Sequence, residues 1–164
     1  MNAAASAGLL MYRIADSGPE VLLVHPGGPF WARKDAGAWS IPKGEHGPEE
    51  DPLAAARREF EEETGWKAGD PDLIALGEAR QKSGKLVRAW AFRGDVDPGT
   101  LRSNTFALEW PPRSGRTRDF PEIDRAAWLS LPEARRRIVP GQAVFLERLS
   151  DRLGAGRQRS AAGA

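Results

Sequence analysis

Apolar residues fall in short clusters separated by glycine, proline and aspartate. Residues 8–14 and 21–25 are apolar runs of strand length on either side of Asp16-Ser17-Gly18-Pro19, which predicts strand, turn, strand. Residues 26–38 contain Pro26, Gly27, Gly28, Pro29 and Gly37 and read as a loop, although it carries Trp31, Arg33 and Lys34. Residues 39–44 read as a short extended piece ending at Gly44. A helix over residues 52–64 is punctuated at both ends: Asp51 can cap it, Pro52 suits its first position, and Gly65 can close it in the left-handed conformation. Strands are predicted at 73–76 and 86–92, with weaker ones at 106–110 and 126–129. Ser130 and Glu133 form a capping-box pattern for a helix through Ile138, and Val144, Phe145, Leu149 and Leu153 mark a final amphipathic helix. Residues 1–153 are expected to form a single domain, and residues 154–164 a frayed, flexible tail.

The length of 164 residues suits that organisation. Lys and Arg total 24 against 23 Asp and Glu, a formal net charge of +1, so no global basic field points to nucleic acid or an anionic membrane. No apolar stretch approaches the roughly 20 residues of a membrane-spanning helix, and residues 1–8 lack the basic and apolar regions of a signal peptide. A soluble, cytoplasmic protein without membrane partners is expected. Cysteine is absent and His25 and His46 are the only histidines, which excludes thiolate chemistry and sites built on several imidazoles. Metal chemistry would have to use carboxylates.

The predicted helix supplies them. Glu59, Glu62 and Glu63 stand at i, i+3 and i+4 and share one face, while Leu53, Ala56 and Phe60 form a neighbouring apolar stripe that would fasten the helix to a sheet. Like charges so spaced repel by a few tenths of a kcal/mol per pair. A hard divalent cation would reverse that sign.

From Gly44 to Trp66 the chain fits G-x5-E-x7-R-E-U-x-E-E-x-G-U, with U a bulky apolar residue, at Gly44, Glu50, Arg58, Glu59, Phe60, Glu62, Glu63, Gly65 and Trp66. Average residue frequencies make a chance fit about 10⁻⁹ per starting position. The segment resembles the signature of the Nudix hydrolases. The resemblance implies an α/β/α sandwich around a central mixed β-sheet and a loop-helix-loop that binds Mg²⁺ or Mn²⁺. It also implies hydrolysis of a diphosphate linkage in a nucleoside diphosphate derivative. Glu59, Glu62 and Glu63 are then the expected metal ligands, with Glu59, Glu63 and Arg58 in the catalytic set. Arg58 is expected to fix a glutamate by a charge-assisted hydrogen bond, Gly44 to permit a tight turn into the loop, and Glu50 to act as a structural acceptor.

The run Trp39-Ser40-Ile41-Pro42-Lys43-Gly44-Glu45 looks like the version found in family members acting on dinucleoside polyphosphates and nucleoside triphosphates. A nucleoside polyphosphate is accordingly the expected small-molecule substrate, met by Lys43 at a phosphate, with Gly44 alongside and Trp31 or Phe30 as a base-stacking candidate. Trp39 is assigned to the core. The base-stacking tyrosine that many dinucleoside polyphosphate hydrolases carry after the signature is missing, since Tyr12 is the sole tyrosine. Lys82, Lys85 and Arg88 flank a hairpin, and both histidines are read as structural or exposed. Family members often add a carboxylate from a distant loop. Here Trp128-Leu129-Ser130-Leu131 resembles the strand that follows it, making Glu122 the candidate catalytic base and metal ligand, ahead of Glu109, Asp119 and Asp124.

Nucleic acid is not an expected partner. Residues 101–159 hold 12 Lys and Arg against 7 Asp and Glu, but Arg135, Arg136 and Arg137 have no interleaved aromatics and read as a solvated helix face. The alternatives are a non-catalytic, nucleotide-binding regulatory module of the same family and an RNA 5′-end pyrophosphohydrolase.

Overall fold

The computed structural model describes residues 5–69 and 72–162, with side chains through residue 154. Strand β1 (Ala5–Ala15) is central, and its alternating side chains build two cores. Leu10 and Tyr12 enter one, with Val21, Leu23, Val87, Phe145, Leu146 and Leu149. Ala7, Leu9 and Met11 enter the other, with Leu22, Ala55, Ala56, Phe60 and Phe92. A strand buried on both faces reads as a continuous apolar run, which is why residues 8–14 show no polar alternation.

The remaining strands are β2 (Gly18–Pro26), β3 (Lys43–His46), β4 (Ile74–Arg80), β5 (Leu86–Arg93), β6 (Thr105–Glu109), β7 (Thr117–Pro121) and β8 (Ile123–Ser130). The main sheet runs β4-β5-β1-β2-β8, with β3 also paired to β1. β1 and β5 are parallel and the other pairs antiparallel, giving a mixed sheet. β1 changes partner along its length: residues 12–15 pair with β2, and residues 5–8 with β3. β3 is thereby set in the middle of the sheet, with Lys43 opposite Gly8.

Helix α1 (Pro52–Thr64) covers one face, and α2 (Leu131–Arg137) and α3 (Ala143–Ala162) cover the other. This is the expected α/β/α sandwich. α1 has the limits its caps predict: Asp51 accepts from the Ala54 N–H, and Gly65 closes the helix at φ 79°. Ser130 likewise caps α2, accepting from the Glu133 N–H at 3.4 Å.

Three features depart from the sequence reading. The strand predicted within 39–44 lies later, at residues 43–46, while Trp39 and Ser40 make isolated bridges to Ile138 and Val24. β7 has no counterpart among the predicted strands, and it pairs with β6 in a separate two-stranded hairpin. The final amphipathic helix, marked in the sequence as far as Leu153, extends as backbone helix to Ala162. Among the described residues no helix is long and apolar enough to cross a membrane.

Candidate active site

The site forms where α1, β3, the loop over residues 26–38 and the start of β8 meet. Phe60 anchors α1: it is fully buried and meets Phe92 edge-on at 5.3 Å between ring centroids. The glutamate face is thereby turned toward β3, where the Lys43 N–H donates to Glu63 Oε2 at 3.1 Å. Gly44 has a different role from the one expected. Its φ is not in the left-handed region, and it leaves room for a neighbour, because a Cβ there would overlap the Glu59 carboxylate.

Arg58 organises the exposed side of the cluster. It donates to both Glu50 oxygens at 3.0 Å, to Glu59 at 2.8 Å, and to Glu62 at 3.4 Å. Glu50 accepts through both carboxylate oxygens. Arg58 hydrogen bonding holds the Glu50 carboxyl below its ordinary range, and Glu50 in turn raises the Arg58 pKa.

Toward the cavity the balance reverses. Burial pushes the Glu63 carboxyl up to about 8, opposed by the Lys43 N–H and ammonium and reinforced by Glu59 and Glu122. Burial also raises Glu59, with Glu62 and Glu122 adding and Arg58 opposing. Lys43 is lowered by burial despite its closeness to Glu63. Glu59, Glu63 and Glu122 therefore form an electrostatically coupled group short of positive charge.

Glu122 is exposed and immediately precedes β8, its backbone tied on both sides: its N–H donates to the Asn104 carbonyl and its carbonyl accepts from Gly27. The competing carboxylates are engaged or placed elsewhere. Asp124 contacts His25 Nδ1 at 2.8 Å, while Glu109 and Asp119 lie within the β6–β7 hairpin.

Lys43, Glu63 and Glu122 line one cavity of about 360 Å³ together with Trp31, Ser40, Gln81, Gln142 and apolar side chains. Lys43, Glu122 and Trp31, which lie far apart in sequence, are thus brought together; Glu62 and Arg58 are at the outer edge of the glutamate cluster. Trp31 is 39% exposed with the Lys34 ammonium 4.9 Å from its ring centroid, whereas Trp39 is core, as expected, and donates to Asp35 at 2.6 Å. His25 is buried between Asp124 and the Lys34 carbonyl, and His46 contacts the Gly47 carbonyl; neither hydrogen-bonds Glu59, Glu62 or Glu63. Lys85 and Arg88 pair with Glu45 and Glu78, and Arg136 and Arg137 with Glu133.

Gln142 is a residue that sequence reasoning misses. Its buried amide accepts from the Ile41 N–H at 3.0 Å and donates to Ser40 and Gln81, pinning the cavity wall from three elements. A glutamine at a helix start carries no signal of burial.

Among the described residues no three carboxylates or imidazoles converge closely enough, as placed, to ligate one ion. The donor set nevertheless suits a hard divalent cation. It consists of carboxylate oxygens, two of them raised by burial and mutual repulsion, and an added positive charge would relieve both.

The family model for the NUDIX domain matches residues 4–149. A curated relative, RNA pyrophosphohydrolase of Agrobacterium fabrum, is 32% identical over 125 residues, covering 68% of each chain. Among solved structures, a C. elegans Ap4A hydrolase binary complex aligns with a TM-score of 0.63 at 22% identity over 93% of this chain and 98% of its own. The NUDIX domain of Shewanella oneidensis NrtR, complexed with ADP ribose, aligns with a TM-score of 0.62 at 14% identity over 93% and 90%.

Proposed function

The chain belongs to the NUDIX family as a pyrophosphohydrolase of nucleotide derivatives, and on that premise we propose that its substrate is a nucleoside 5′-polyphosphate held with the phosphates at Lys43 and the base toward Trp31. The observation that carries this is the single cavity shared by Lys43, Glu63, Glu122 and Trp31. Its volume suits one nucleoside unit with its phosphates. A second nucleoside would lie outside.

Glu59, Glu62, Glu63 and Glu122 would hold Mg²⁺ or Mn²⁺, which supplies charge neutralisation at the phosphoryl oxygens and activation of water. Arg58 fixes Glu59 and Glu62 in place. Lys43 neutralises a phosphate that does not react, and a Glu122 carboxylate oxygen takes the proton of the attacking water. The P–O bond of the anhydride breaks, and the leaving phosphate carries the electron pair away.

A second reading, hydrolysis at the 5′ end of RNA, is favoured by the name of the Agrobacterium relative and by the cavity's capacity for only the first nucleotide. A substrate panel tests both. With Mg²⁺ or Mn²⁺, nucleoside triphosphates and 5′-triphosphorylated RNA should be hydrolysed. Cleavage of ADP-ribose alone, or of none of the panel, would overturn the proposal.

A further inference from the structure

The β6–β7 hairpin sorts its side chains into two chemically distinct sets. Phe106 stands opposite Phe120, Leu108 opposite Arg118, and the Trp110 N–H donates to the Arg116 carbonyl, so these six alternate onto one face. Thr105, Ala107, Glu109, Thr117 and Asp119 occupy the other. Both acids of the two strands are therefore on the face away from the arginines.

The aromatic face adjoins the loop that lines the cavity. The Phe106 ring lies against Gly28, and Phe30 meets Trp110 edge-on at 5.6 Å between ring centroids. Phe30 remains 59% exposed and is followed in sequence by Trp31 of the cavity. Arg116 and Arg118 are exposed, Arg118 has its guanidinium carbon 5.6 Å from the Phe120 centroid, and neither arginine makes an ion pair among the described residues.

Phe106, Trp110 and Phe120 are half-buried, but the open ring of Phe30 and the two unpaired cations at this face add little to folding stability. They match a ligand that alternates flat faces with negative charges, which describes single-stranded nucleic acid. An acidic peptide would satisfy the arginines but not the rings. The track also begins at Phe30, next in sequence to Trp31 of the cavity wall, and a polyphosphate 5′ end followed by a chain is the chemistry of a transcript. We infer that this hairpin face and Phe30 dock the single-stranded RNA that follows a 5′ nucleotide seated in the cavity. The inference rests on the nucleotide reading of the cavity.

The test separates docking from turnover. Binding of a labelled 12-nucleotide single-stranded RNA with a 5′-hydroxyl end is measured by fluorescence anisotropy for the wild-type protein, Arg116→Gln/Arg118→Gln, Phe30→Ala, and the charge-matched Arg135→Gln/Arg136→Gln. The hairpin double variant should bind at least tenfold more weakly, and its salt dependence should flatten by about 1.4 in log–log slope, about 0.7 for each phosphate no longer neutralised. Phe30→Ala should also weaken binding, and the α2 double variant should bind like wild type. In parallel, kcat/KM of the hairpin double variant should fall at least tenfold on 5′-triphosphorylated RNA and stay within twofold on a nucleoside triphosphate. Absent wild-type binding at low salt, unchanged binding in the hairpin variant, or an equal loss in the α2 variant would overturn the inference. RNA binding without hydrolysis of either substrate would instead overturn the cavity reading and leave the docking result standing.

Discussion

Replacing Glu63 by Gln should make the metal-free protein more stable while lowering its metal-dependent turnover by orders of magnitude. Burial raises this carboxyl in the folded state to about 8. In the unfolded chain its pKa is about 4.3. The folded protein therefore keeps the proton longer, and this group's contribution to stability is complete below about pH 4 and is lost as pH rises toward 8. At pH 7 the loss is on the order of 3 kcal/mol. Glutamine retains an oxygen to accept from the Lys43 N–H but never ionises. With about 2–4 °C per kcal/mol for a domain of this size, Glu63→Gln should melt roughly 6–12 °C above wild type at pH 7 in excess chelator, the gap closing toward pH 4.5. A divalent ion competes with the Glu63 proton, so metal should stabilise wild type more at pH 8 than at pH 6 and stabilise the variant far less. The assay is thermal unfolding across pH, with chelator or Mg²⁺. A variant that melts below wild type at pH 7 without metal, or gains equally from Mg²⁺, would refute the reasoning.

Lys43→Ala should raise KM for a nucleoside triphosphate more than it lowers kcat, because contact with a non-reacting phosphate is shared by ground and transition states; a fall in kcat at unchanged KM would place Lys43 at the transferring group. Glu122→Gln should lower kcat by about 10²–10⁴ and flatten the acid limb of the pH–rate profile, and a comparable loss in Glu109→Gln with Glu122→Gln near wild type would move the base. Gly44→Ala forces the Glu59 carboxylate to shift, so kcat should fall sharply while far-ultraviolet circular dichroism is kept; normal turnover would remove Glu59 from the site.

What the sequence made legible was chiefly local. Asp51, Pro52 and Gly65 punctuate α1 through its own backbone, so both ends were readable, and the spacing of Glu59, Glu62 and Glu63 followed from helical period alone. β7 was not readable: Thr117, Arg118 and Asp119 form no apolar run, and the strand exists through its pairing with β6. Gly44 was recognised by its place in the signature, but the reason glycine is required there is a carboxylate 15 residues later. Glu122 was picked out by the strand that follows it. Its coupling to Glu59 and Glu63 depends on β8 lying beside β2, which no local pattern encodes. The formal charge of +1 averages over a hairpin whose arginines and acids occupy opposite faces, so composition hid the segregation of Arg116 and Arg118 from Glu109 and Asp119.

The central claim is that metal-dependent pyrophosphate hydrolysis takes place in the cavity of Lys43, Glu63 and Glu122. Its most direct test is hydrolysis of a nucleoside triphosphate by chelator-stripped wild type and Glu63→Gln as Mg²⁺ or Mn²⁺ is titrated back, with nucleotide, phosphate and pyrophosphate products separated. The account predicts no turnover before metal, saturable recovery in wild type, and a recovery lower by orders of magnitude in the variant. Turnover that survives chelation, or equal recovery in both proteins, would contradict it.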